Sequence, residues 1–192
     1  YLKLGIEHIL TGFDHLLFVA CLLMLAGTVR RVLLIITGFT VAHSVTLALA
    51  ALDIVSVPVA PLEAVIALSI VFVAAELARP ARDTLTWRYP ILISSGFGLL
   101  HGFGFAAVLG EIGLPQTEVP LALLFFNLGV EVGQIAFILF LIAITFVGLR
   151  VIAFVKKDAR TWGLGDVTMP AAYVVGSLAA FWTIERFIAV VA

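Results

Sequence analysis

Apolar residues run along this chain in six long stretches, at about residues 5–26, 32–52, 61–79, 90–110, 119–148 and 168–191, joined by short polar connections. A helix of roughly 20 mostly apolar residues crosses the hydrocarbon layer of a bilayer. Each stretch therefore predicts one transmembrane helix, and the fifth is long enough to tilt or to project into solvent. Pro61, Pro90, Pro120 and Pro170 fall near the predicted span starts, where a missing N–H costs little. The expected fold is all-α and integral to the membrane: a single transmembrane domain over residues 1–192, built as one bundle of six helices. No internal repeat, low-complexity stretch or soluble domain interrupts it.

The connections predict the orientation. Arg30 and Arg31 lie in the first; Arg79, Arg82 and Arg88 in the third; Arg150, Lys156, Lys157 and Arg160 in the fifth. The second, at about 53–60, and the fourth, at about 111–118, contain no Lys or Arg. Cytoplasmic connections are the ones enriched in these residues. The odd connections are therefore expected to be cytoplasmic and both termini extracytoplasmic, with only Lys3 against it. Trp87, Tyr89 and Trp162 then sit at the inner interface, where aromatic belts form. Localisation in an inner or cytoplasmic membrane follows.

Composition agrees with the pattern. Hydrophobic residues make up 63% of the chain and charged residues 12%, about half the charged share of a soluble domain, and the mean hydropathy is +1.23. A net charge of −1 gives no basic face for nucleic acid. The single cysteine, Cys21, precludes a disulfide within the chain and a thiolate cluster, and reads as a small buried hydrophobe. Glu7, His8, Asp14 and His15 break up the first apolar run, which a secretory signal would not tolerate, so that run is read as a span. With Tyr1 first, the chain is expected to be trimmed or to follow a further N-terminal segment.

Against this background the polar residues inside the spans stand out. All four histidines are among them, His8, His15, His43 and His101, together with Asp14, Asn127, Glu131 and Gln134. A polar group in hydrocarbon needs a partner, a water-filled cavity or an ion. In the expected orientation Glu7 and His8 lie near the outer surface, with Asp14 and His15 about 10 Å deeper at ~1.5 Å rise per residue. His43 and Ser44 fall at or outside the midplane, Glu63 near the outer rim and His101 just past the midplane. Asn127, Glu131 and Gln134 lie a third to a half of the way in. Most of the set thus falls in the outer half, on four spans. His8, Thr11 and His15 form one helical stripe, Glu7 and Asp14 the adjacent one, and Asn127, Glu131 and Gln134 another. These stripes predict one polar chamber opening outward.

Histidine and carboxylate are ligands of divalent metals, so His8, Asp14, His15, His43, His101 and Glu131 are the candidate ligands. Glu7, Glu63, Asn127, Gln134 and Ser44 are candidates for supporting or pathway roles. Plainer readings stand beside these. Asp14 with His15, or Glu131 alone, could be interhelical hydrogen bonds; Asn127 and Gln134 could be helix glue; Glu63 could cap the third span. Glu76 pairs best with Arg79 at i+3, and Glu185 with Arg186 reads as an interfacial ion pair. Ser44, Ser69, Ser94 and Ser95 read as packing hydroxyls. Gly129 and Gly133 form a GxxxG pair, a packing signal. The glycine-rich run from Gly96 to Gly104 reads as a close contact or as a locally unwound stretch.

The first span contains His8-Ile-Leu-Thr-Gly-Phe-Asp14-His15. With Phe39-Thr-Val-Ala-His43-Ser44, Phe97-Gly-Leu-Leu-His101-Gly and Asn127-Leu-Gly-Val-Glu131-Val-Gly-Gln134, it resembles the HupE/UreJ family, second branch, over about residues 4–150. That family comprises small membrane proteins associated with nickel supply. Phe97 and Gly104 stand where hydrogenase-type members carry a histidine and a glutamate in the fourth helix, leaving His101-Gly102 as the match there.

Three functions remain open. The first is a permease or facilitator for a divalent transition metal (nickel, zinc, copper or cobalt). The ion would enter past Glu7 and His8 and be held by His15, Asp14, His43 and His101 with help from Glu131. Uptake would weaken below roughly pH 6, where imidazole protonates. The second is an intramembrane metal-dependent hydrolase or transferase, for which three histidines and an open position suffice, although no HExxH is present. The third is a non-catalytic subunit of a larger membrane complex. Transport is favoured over catalysis. The expected partners are the lipid bilayer, the metal ion and further copies or subunits.

Overall fold

The computed structural model describes residues 1–104, 118–156 and 164–191. Lys157, Arg160, Trp162 and the 105–110 end of the fourth predicted span lie outside them. The described residues form eight helices and no strand: α1 (Leu2–Thr11), α2 (Phe13–Ala26), α3 (Val29–Ala51), α4 (Val59–Ala78), α5 (Leu85–Arg88), α6 (Pro90–Gly104), α7 (Val119–Lys156) and α8 (Leu164–Val191).

Four of them, α3, α4, α7 and α8, are long and apolar enough to cross a membrane, and α1 with α2 makes a fifth if the pair counts as one span. Within the described residues α6 has 15 residues, about 22 Å of helix. At 38 residues, α7 is the longest; it is about 57 Å long and exceeds the hydrocarbon layer. Pro90 and Pro120 open α6 and α7 as anticipated, but Pro170 lies inside α8.

The first predicted span is not one straight helix. It breaks at Gly12, whose φ of −82° and ψ of 95° are extended, and the two halves meet at 80°. Gly12 still donates to the His8 carbonyl (3.1 Å) and accepts from Leu16 N–H (3.0 Å), so the break leaves its own amide paired. Gly27 then closes α2 in the left-handed region (φ 71°), and Thr28 caps α3 by accepting from Arg31 N–H.

Two apolar cores hold the helices. The larger joins Phe18, Leu22 and Leu25 of α2, Ile35, Ile36 and Phe39 of α3, and Ile70, Val73 and Ala74 of α4 to Ala172, Val175 and Ala179 of α8. The smaller joins Ile9 of α1 and Leu47 of α3 to Leu123, Phe126 and Val130 of α7. Side chains outside these cores, such as Leu124, Leu139, Phe140 and Phe181, remain exposed, as a lipid-facing surface requires.

Small residues set two helix contacts. A Cβ on Gly129 would overlap the Leu2 carbonyl, and one on Gly5 the Phe126 carbonyl, so α1 lies directly on the α7 backbone. Likewise a Cβ on Gly102 would overlap the His43 carbonyl and the Thr46 hydroxyl. The glycine-rich run of α6 is therefore a close contact with α3; it stays helical through Gly104. Ser94 fastens the same pair by donating to the Ile35 carbonyl (3.1 Å).

Candidate metal centre

The broken first span, α3 and α6 bring the four imidazoles together. The His8 and His15 ring centroids are 4.5 Å apart, His15 and His101 5.2 Å, His8 and His43 6.2 Å, and His15 and His43 6.5 Å. The 80° turn at Gly12 produces the first of these distances. The expected placement of His15 about 10 Å deeper than His8 on a single stripe is corrected accordingly. Thr11, expected on that stripe, is exposed and donates to its own Glu7 carbonyl (2.7 Å).

One ligand nitrogen from each of His8, His15 and His43 lies within 4.8 Å of the other two. An imidazole nitrogen binds a first-row metal at about 2.0–2.1 Å, so two donors on one ion are at most about 4.2 Å apart. Nitrogens held within 4.8 Å of one another are close to that limit, so small side-chain shifts are enough for the three rings to share an ion. Apolar walls surround them: Phe18 and Phe39 lie 5.1 and 5.3 Å from His101, and Phe126 lies 5.4 Å from His8. His43 and His101 are each 1% exposed. Nε2 of His15, Nε2 of His43 and Nδ1 of His101 are buried and have no hydrogen-bond partner among the described residues. A buried nitrogen without a partner is costly, and a bound cation would relieve it.

The polar neighbours form a ladder between α3 and α7. His43 Nδ1 faces Asn127 Oδ1 at 3.4 Å, Thr40 donates to Gln134 Oε1 at 3.0 Å, and Thr37 donates to Glu131 Oε1 at 2.6 Å. Asn127 thus touches the cluster, while Gln134 and Glu131 are tied to threonines one and two turns along α3.

Other candidates have different partners. Asp14 directly precedes His15, but successive residues on a helix point to different faces. Its carboxylate meets Arg186 Nη2 at 2.8 Å, and Arg186 Nη1 also donates to the Glu63 carbonyl at 3.1 Å. Gly12, Phe13, Asp14, Trp182 and Arg186 line a cleft of about 350 Å³ on that side of the break. Glu7 is exposed beside Lys3 (3.4 Å). The Glu63 side chain is exposed and makes no cap, since none is found at the start of α4. Ser44 donates back to the Thr40 carbonyl (2.6 Å). Glu76 is paired with Arg79 (3.0 Å) as anticipated, and Thr84 donates to it as well.

Sequence reasoning missed Ser69, Thr37, Thr40 and Arg186. Ser69 Oγ is 3.2 Å from His101 Nε2. A serine in an apolar run reads as packing, and only the pairing of α4 with α6 distinguishes this one. Arg186 was assigned to its neighbour Glu185, because its true partner is 172 positions away.

The sequence model of one family, described as HupE / UreJ protein, matches residues 1–186. No curated protein and no solved structure is significantly similar to the chain.

Proposed function

The chain belongs to the HupE/UreJ family, and from that premise we propose that it is a permease for a divalent, nickel-like transition metal. The observation that carries this reading is the convergence of His8, His15 and His43 within 4.8 Å in an apolar surround. Neutral imidazole suits nickel, cobalt, zinc and copper, and affinity alone does not choose among them. His101 stands beside His15 as the next imidazole an ion would meet. In this reading the chain forms one six-span bundle with both termini outside. The site opens outward in the inner membrane, and the cation arrives past Glu7, His8 and the Asp14 cleft.

Three histidines would also serve a hydrolytic metal. That reaction needs a base beside the ion. Oδ2 of Asp14 is paired with Arg186, Glu131 accepts from Thr37 and Glu7 lies beside Lys3. Oδ1 of Asp14 is buried without a partner among the described residues. With most carboxylate oxygens engaged elsewhere, carriage is favoured over catalysis. The test is uptake of nickel, cobalt and zinc into proteoliposomes by the wild type, His15→Ala and His43→Ala. Loss of uptake in both variants supports the proposal; unchanged uptake in both overturns it.

A further inference from the structure

Two hydrogen-bond chains determine where the protons sit on His43 and His101. The hydroxyl of Ser69 has one proton, and it points to the Ile66 carbonyl at 2.6 Å. Its contact with His101 Nε2 at 3.2 Å can therefore only be one in which the ring donates. Nε2 of His101 then carries the proton, and Nδ1 keeps a lone pair. Nδ1 is the nitrogen that is buried without a partner among the described residues.

His43 has the mirror arrangement. Asn127 donates through Nδ2 to the Leu123 carbonyl at 2.8 Å, which fixes that atom as the nitrogen. The other amide atom, Oδ1, is an acceptor and faces His43 Nδ1 at 3.4 Å. Nδ1 of His43 is then protonated and Nε2 keeps the lone pair. Nε2 is again buried and unpartnered among the described residues.

Each ring is thus anchored on one nitrogen by a residue whose own proton is already committed, leaving the opposite nitrogen bare. A metal ligand needs this arrangement, because an outer partner fixes tautomer and ring orientation and raises the basicity of the free nitrogen. We propose that Ser69 and Asn127 are positioning residues for the metal centre, Ser69 presenting Nδ1 of His101 and Asn127 presenting Nε2 of His43. The two histidines would accordingly bind through different ring nitrogens. This inference rests on the cation-binding reading of the site, but the tautomers are a property of the protein without metal.

The experiment uses the full chain in lipid nanodiscs, labelled with ¹⁵N on histidine side chains. Metal-free spectra are expected to show His101 as the Nε2–H form and His43 as the Nδ1–H form. Ser69→Ala and Asn127→Leu should each lose the single tautomer at their own histidine and weaken nickel binding about 10- to 100-fold. Ser69→Thr and Asn127→Asp, which keep an acceptor, should restore both readouts. The opposite tautomer in the wild type overturns the proposal, as does an unchanged spectrum and affinity in Ser69→Ala and Asn127→Leu. A wild type with these tautomers that binds no nickel, cobalt or zinc would overturn the permease reading and leave only the tautomer assignment standing.

Discussion

The imidazoles of His8 and His15 are 4.5 Å apart, centroid to centroid, although the two residues are seven positions apart in the chain. On a straight helix they would be displaced by about 10 Å along the axis. The extended backbone at Gly12 folds one half of the span across the other and brings two candidate ligands from one apolar run side by side. His43 completes the group from α3, which α6 grips through Gly98 and Gly102.

Gly12 is consequently a steric requirement of the site. Alanine can adopt its φ and ψ, yet a Cβ there would lie 2.7 Å from His15 Nδ1 and 2.9 Å from the His8 carbonyl. Gly12→Ala should push the His15 ring away and lower metal affinity at least about tenfold. Overpacking should cost about 1–3 kcal/mol of stability. Metal titration alongside thermal unfolding in one detergent checks both effects, and helix content by circular dichroism should stay near that of the wild type.

The two glycines of the α7 GxxxG pair should behave differently. A Cβ on Gly129 would run into the Leu2 carbonyl, whereas one on Gly133 would lie at ordinary contact distance, 3.4 Å from Ile6 and Ile9. Gly129→Ala should destabilise by about 1–3 kcal/mol and loosen α1, with its histidine, from α7. Gly133→Ala should be close to neutral. Unfolding temperatures of the two variants make the comparison.

Asp14 and Arg186 should be coupled in stability and dispensable for ligation. Both are partly buried and 2.8 Å apart. Removing one charge leaves the other partly buried and unpaired, so Arg186→Gln and Asp14→Asn should each destabilise. The double variant should lose less than the sum, with a coupling of about 0.5–3 kcal/mol. A double-mutant cycle by thermal or denaturant unfolding measures it. Asp14→Asn should retain the imidazole ligation of a bound metal.

Glu131→Gln should likewise leave the histidine centre intact. Its carboxylate accepts from Thr37 rather than from a ring, and a glutamine oxygen can accept the same hydrogen bond. Metal affinity should stay within about threefold of wild type, against a loss of at least about tenfold for His43→Ala. Parallel calorimetric titrations decide the matter.

The histidines that converge in the candidate site could be picked out from the chain, and most of the geometry that brings them together could not. A histidine in hydrocarbon is conspicuous whatever the fold, and His8, His15, His43 and His101 were marked by that alone. Their meeting depends on a helix break, and one glycine in an apolar run does not reveal whether it bends 80° or packs straight. The pairing of Asp14 with Arg186 is not legible in the sequence, because the partner lies at the far end of the chain and no periodicity links the two. Ser69 and Thr40 resemble the other hydroxyls in these helices, and only the neighbouring helix gives them a role. The all-helical, membrane-spanning character followed directly from the apolar runs, because their length is set by the bilayer itself. The count of spans is less direct: α1 and α2 share one apolar run, and α6 is short within the described residues.

The central claim is that His8, His15 and His43 bind one ion together, and X-ray absorption at the metal edge tests it most directly. Purified protein loaded with nickel, cobalt or zinc should hold about one ion per chain, with about three imidazole nitrogens, and a fourth where His101 joins them, at about 2.0–2.1 Å. His43→Ala should lose one of those nitrogens and Asp14→Asn none. A folded wild type that binds no stoichiometric ion, or one whose metal shell contains no imidazole, would contradict the account.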